Sequence, residues 1–256
     1  MTERAASHGT GSSNRSPLLV PYLLWLMVCC GVARAQDPAP VAATCENLTL
    51  PSVPSAENSS ASNTAVSPGL QKKMEAVRVA SFSELQRKVV NTRRFESSAD
   101  YFRTRFSVSR FLLLRPMHYF VEMNPRIESA GPSAGGVCGI LAHELVHISR
   151  MSQGNRIRLF GFVRLLSGSY TARFERSADL EAIRRGYGPG LTTFREWVYQ
   201  NIPPAELKRK KRNYFSPVEI SAILEKTRTK RELFTYWNKH VPLNLHEIEK
   251  ANSTNH

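Results

Sequence analysis

Long apolar runs are scarce in this 256-residue chain, and the longest, Leu18 to Val32, is broken by Pro21. A helix that crosses a bilayer needs about 20 such residues, so a multispan membrane protein is excluded. Acids are also in short supply: 21 Asp and Glu stand against 35 Lys and Arg, a formal charge of +14. That balance disfavours cationic partners and favours anionic ones, such as phospholipid head groups, envelope polymers or nucleic acid. Nucleic acid is the least favoured, because no aromatic platform or nucleic-acid motif accompanies the basic residues. No internal repeat is evident. Cysteine is rare, with four in the chain, so a disulfide-dense scaffold is excluded.

What is present begins with an N-terminus that has the form of an export signal. Arg4 and Arg15 precede the apolar run, and Ala33-Arg34-Ala35 supplies small residues at the two positions a signal peptidase reads. Residues 1–35 are therefore expected to be a signal peptide, giving an exported (periplasmic or secreted) protein; retention of residues 18–32 as a membrane anchor is the alternative. Cleavage would remove three Arg and one Glu and leave a charge of +12, so the basic character belongs to the folded part. Cys29 and Cys30 would leave with the signal. Cys45 and Cys138 remain, and the sequence leaves open whether they pair.

Residues 36–69 are dominated by Ala, Pro, Ser, Asn and Thr and cannot bury enough surface to offset ordering, which predicts a disordered linker. Residues 70–256 are expected to form one domain. Ser81 with Glu84 has the spacing of a capping box and predicts a helix from Phe82 to about Arg93, with a second helical stretch at Ser98–Arg105. Arg110–Leu114 and His118–Met123 read as a pair of strands or a hairpin. Val137–Ile148 carries apolar residues at helical spacing. Asn155–Leu166 reads as a basic amphipathic helix, suited either to packing on the core or to resting on an anionic membrane. Thr171–Arg185 is another helix, closed by Gly186 and Gly188. The basic run Lys208–Arg212 reads as a solvated helix face followed by a loop. Three short helices should start at Ser216-Pro217-Val218-Glu219, at Thr229 with Glu232 and at Asn244 with Glu247. The fold class implied is α+β: a mostly helical domain with a small β-sheet.

The strongest chemical signal is His143-Glu144-Leu145-Val146-His147. Helix positions four apart lie on one face, so both imidazoles can reach one tetrahedral metal ion, and Glu144 points beside that face, where a general base is needed. A third ligand is required. Glu175-Arg176-Ser177-Ala178-Asp179 offers carboxylates one turn apart on a second predicted helix. Cys138, about 140° around the helix from His143, faces away from the metal.

Through the paired segments HELVH and ERSADLEA the chain resembles the gluzincin metallopeptidases, and within them the HtpX and CAAX-prenyl-protease families. The similarity spans about Met117 to Tyr187. It implies a zincin-like domain and a Zn2+ cofactor, with Glu175 as third ligand and Asp179 supporting a ligand histidine. It also implies that the strand before the zinc helix is an exposed edge pairing with substrate backbone. That would make His118, Tyr119, Phe120, Val121, Glu122 and Met123 the substrate-binding strand. The several membrane spans of the larger family members are missing, so membrane-embedded substrates are not implied. An oxyanion donor should come from His118, Tyr170, Tyr187, Tyr214, His240 or His246.

The function expected is an exported zinc-dependent metalloendopeptidase acting on protein or peptide substrates, with Glu144 as general base. Two alternatives are a cell-wall amide hydrolase using the same site and a basic zinc-containing protein that binds the cell envelope. Peptide deformylase is disfavoured, because no cysteine stands where its third ligand would be needed.

Overall fold

A computed structural model describes residues 68–153 and 168–251. The expected signal peptide, nearly all of the expected linker and the expected basic helix 155–166 lie outside the described residues. In chain order the elements are α1 (Pro68–Ser81), a 3-10 turn (Ser83–Leu85), β1 (Val89–Arg94), β2 (Phe102–Phe106), α2 (Val108–Leu112), β3 (His118–Met123), α3 (Arg126–Ala130) and α4 (Ala134–Gln153). After them come α5 (Gly168–Ala182), a π-type turn (Ile183–Tyr187), α6 (Gly188–Asn201), α7 (Pro204–Asn213), α8 (Pro217–Thr229), α9 (Leu233–Lys239) and α10 (Leu245–Lys250). The α+β reading holds among the described residues: helices dominate beside one small, mixed, three-stranded sheet. Among the described residues, no helix is long and apolar enough to cross a membrane.

The sheet has the order β1-β3-β2, with β1 parallel and β2 antiparallel to β3. This corrects the expectation that His118–Met123 is an edge strand. Its residues are buried along almost the whole strand, the pattern of a strand flanked on both sides, whereas among the described residues β2 has only β3 as a neighbouring strand. The pairing of Thr104 with Val121 and of Phe106 with Tyr119 puts those side chains on the inner face. Arg103 and Arg105, one residue out of phase, lie on the outer face with Arg93, Phe120 and Glu122.

Four local expectations fail, and at the first of them long-range contacts take the residues that would have formed a local cap. Ser81 and Glu84 do not cap a helix: the Ser81 hydroxyl meets the Tyr187 hydroxyl at 2.9 Å, and Glu84 accepts from Ser149 and Arg185. The segment after them becomes the 3-10 turn and β1. Ser98–Arg105, read as helical, instead enters β2, where its alternation of Phe and Arg suits a half-buried strand. Arg110–Leu114, read as a strand, falls in α2 and the turn after it. Thr229 ends α8, and Glu232 is the residue preceding α9.

α4 is the central element. It is apolar nearly all round, and fifteen of its twenty residues are buried, among them Val137, Leu141, Leu145 and Ile148. Its closest partner is α6, and the approach depends on glycine. A Cβ on Gly139 would lie 2.4 Å from the Leu191 amide nitrogen, and one on Gly190 would lie 2.3 Å from the Gly135 carbonyl oxygen. The predicted stop at Gly186 exists as a residue at φ 94°, yet the chain resumes a helix at Gly188 and returns along α4. Cys138, buried on α4, is disulfide-bonded.

Candidate metal centre

α4 and α5 bring the two sequence motifs face to face. His143 and His147, one turn apart on α4, point their Nε2 atoms at each other at 3.1 Å. The Glu175 Oε2 atom, from α5, lies 3.2 Å from His143 Nε2 and 3.1 Å from His147 Nε2. Four ligands at ordinary zinc bond lengths stand about 3.3 Å apart around a tetrahedron, so these three atoms form a triangle of the right size with one vertex left over. All three groups could hold a metal ion.

The histidines are held differently. His143 is fully buried, and its Nδ1 lies 2.7 Å from Asp179 Oδ1. Asp179 is itself buried and accepts from Arg195 Nη2 at 2.9 Å and from the Phe215 amide at 3.1 Å. Burial alone would raise the Asp179 pKa, but the Arg195 charge, His143 and the Phe215 amide outweigh it and hold the carboxylate ionised. An ionised acceptor requires His143 to carry its proton on Nδ1, leaving Nε2 as the lone-pair donor. Among the described residues the Nδ1 of His147 has no hydrogen-bond partner, and this ring stacks on Phe174, with centroids 4.7 Å apart and planes at 18°.

In the absence of metal the same groups form a charged cluster. Burial pulls the His143 imidazolium down, but Asp179 and Glu175 overcome it and raise its pKa from 6.5 to about 9. Burial would push Glu175 up, yet His147 and His143 drive it well below the usual carboxylate range. The cluster therefore concentrates negative charge around two imidazoles, an environment that accepts a divalent cation in place of a proton.

Glu144 projects beside this triangle. Its Oε2 accepts from the Thr104 hydroxyl at 2.6 Å, and the same hydroxyl lies 3.1 Å from the Glu144 carbonyl oxygen. β2 thus fixes one carboxylate oxygen and leaves the other to work. Glu144, His147 and Glu175 line a cavity of about 490 Å3 together with Thr104, Phe174 and Tyr214.

Of the six expected oxyanion donors, Tyr214 is the one the structure brings to this cavity. Its ring lies 5.8 Å from that of His143 and has the Arg195 guanidinium 4.3 Å from its centroid. Burial, with Glu175 adding to it, raises its phenol well above the ordinary value of 10, so it remains a donor. Tyr187 is spent on Ser81, Tyr170 is exposed on α5, His240 stacks near Tyr236, and His118 begins β3. Tyr214 and Phe215 sit just before α8, whose capping box joins Ser216 and Glu219 as expected. Glu219 also receives Arg176 of α5 at 2.8 Å, so the cap is tied to the helix that carries Glu175.

His143, Glu144, His147, Glu175 and Asp179 therefore converge as the sequence suggests, while His118–Met123 is not beside the cavity as an open edge. Thr104, Phe174 and Arg195 were not foreseen. Thr104 lay in a segment read as helical, and neither Phe174 nor Arg195 carries a local signature. Comparisons with family models, curated proteins and solved structures found no match.

Proposed function

We propose that this protein is a zinc-dependent metallopeptidase of the gluzincin type, exported from the cell. The observation that carries the reading is the convergence of His143 Nε2, His147 Nε2 and Glu175 Oε2 at 3.1–3.2 Å, with Glu144 lining the same cavity as His147 and Glu175. Zinc held by these three groups would supply an acidified water and a polarised carbonyl. Glu144, anchored through one oxygen by Thr104, would hold a proton from the attacking water on its other oxygen and return it to the departing amine. The Tyr214 phenol donates to the carbonyl oxygen as negative charge builds there.

Asp179 and Arg195 keep the His143 ring in one tautomer and one orientation throughout. The substrate lies along β2, not β3. Among the described residues no strand pairs with the far edge of β2, whose residues line the cavity, so its backbone can pair with an extended peptide while alternate side chains face α4 and the outer sheet surface.

Zinc content per chain and hydrolysis of casein and of peptidoglycan test the reading together. One zinc per chain, casein cleavage and no release from peptidoglycan are expected. Glu144→Gln should retain the zinc while lowering hydrolysis by roughly 10²–10⁴-fold. Full activity in that variant, or a chain that binds no zinc, overturns the proposal. Cleavage of peptidoglycan alone would transfer the same centre to a cell-wall amide.

A further inference from the structure

The connection from β2 to β3 exposes apolar surface that the core does not use. Leu112, Leu113 and Leu114 are 67%, 62% and 76% exposed, and Val108, at the start of α2, is 60% exposed. Leu114 also takes a left-handed backbone conformation, φ 54°, in which a bulky side chain is rarely found. Three consecutive exposed leucines at a turn form a contiguous patch rather than the scattered single residues of an ordinary surface.

The surroundings of the patch are cationic. Arg110 and Arg115 bracket the leucines in sequence. The first turn of α2, through Val108 and Ser109, also forms one wall of a second cavity, of about 530 Å3, on the outer face of the sheet. Arg93, Arg103 and Arg105 line it with one carboxylate, Glu122, which pairs with two of them, 2.5 Å from Arg103 Nε and 3.3 Å from Arg105 Nε. Arg93 lies over the Phe120 ring, 3.4 Å from its centroid. Three guanidiniums over one carboxylate leave an excess of two positive charges in a cavity that adjoins the apolar tip.

We propose that this connection docks the protein on an anionic membrane surface, with Leu112, Leu113 and Leu114 entering the acyl boundary and the Arg93–Arg103–Arg105 cavity receiving a lipid phosphate. Apolar side chains beside clustered Arg are the combination that holds a protein in the plane of a charged interface. A protein partner would need its own acidic surface around an apolar socket, whereas an anionic bilayer offers both in one layer. The leucines and Arg93 stand apart from the metal-centre cavity, whereas Arg103, Arg105 and Val108 line both cavities, so the test reads vesicle binding and not hydrolysis.

Sedimentation of the full chain with phosphatidylcholine vesicles, with and without phosphatidylglycerol, tests it over a salt series. Binding is expected only with phosphatidylglycerol. L112S/L113S/L114S, which keeps every charge, should lower partitioning by roughly ten- to a hundredfold. R93Q/R105Q should lower it about fivefold per charge removed and reduce the salt dependence. In L113W the emission should shift to the blue on vesicle addition and be quenched by brominated lipid. Circular dichroism should be unchanged in each variant, since the replaced side chains lie on the surface. Serine variants that partition like the native chain would overturn the proposal, the attachment then being diffuse charge alone. A change in self-association with unaltered vesicle binding would overturn it too, by assigning the patch to a second copy of the chain.

Discussion

The metal-centre face of α4 and the outer face of the sheet both hold clustered charges, and they treat them in opposite ways. Around His143 nearly every charged group is buried and answered: Asp179 by Arg195, His143 and the Phe215 amide, Arg176 by Glu219. On the sheet, Arg103 and Arg105 are partly or largely exposed and share a single acceptor. Buried charge is tolerable only when fully paired, so the first arrangement is rigid and intolerant of change, while the second is loose and available to solvent or to a partner.

The sharpest way to break this contrast is to remove a converging ligand. His143→Ala or Glu175→Ala should eliminate stoichiometric zinc binding, measured by metal analysis after dialysis; retention of one tightly held zinc per chain would mean that the three side chains do not share an ion. Next comes Asp179→Asn, which leaves Arg195 buried beside a neutral amide. Zinc affinity should fall roughly 10–100-fold and stability by about 3–5 kcal/mol. Denaturant melts with and without zinc separate the two losses.

A third prediction concerns pH in the metal-free protein. The folded His143 pKa, about 9, exceeds its ordinary 6.5, so its contribution to stability is complete below 6.5 and disappears as pH rises through about 9. Asp179 and Glu175, held low, act with the opposite sign, their contribution being lost as acid protonates them. Thermal unfolding of chelator-treated protein should therefore show stability falling on both sides of neutrality, and the alkaline loss should vanish in His143→Ala. The smallest effect belongs to the sheet: Arg105→Ala should change stability by less than about 0.5 kcal/mol. A larger loss would show that the two faces are not so different.

The centre was more legible in the sequence than the framework around it. His143, Glu144 and His147 are positioned by helical geometry alone, and the apolar residues at helical spacing over Val137–Ile148 mark the helix that carries them. The capping signals at Ser216 and Asn244 could be read because their partners lie three residues away. The partners of Ser81 and Glu84 lie 65 to 106 positions away, so the same letters were misread there. Strand order was beyond reach for a related reason. Nothing local in His118–Met123 says that β2, which precedes it, takes the outside position. Arg195 and Thr104 reach the centre through packing between elements, which leaves no periodic trace in the chain.

The contact between Gly139 and Gly190 works as a spacer of zero thickness. Arg195 is carried by the helix that Gly190 presses against α4, so the distance from the guanidinium to Asp179 is set by how closely two backbones approach five residues earlier. A single methyl group at position 190 would act as a wedge, tilting α6 outward and slackening the grip on the His143 ring without touching His143, His147 or Glu175. The chemistry of the centre is in this sense tuned by the absence of two side chains.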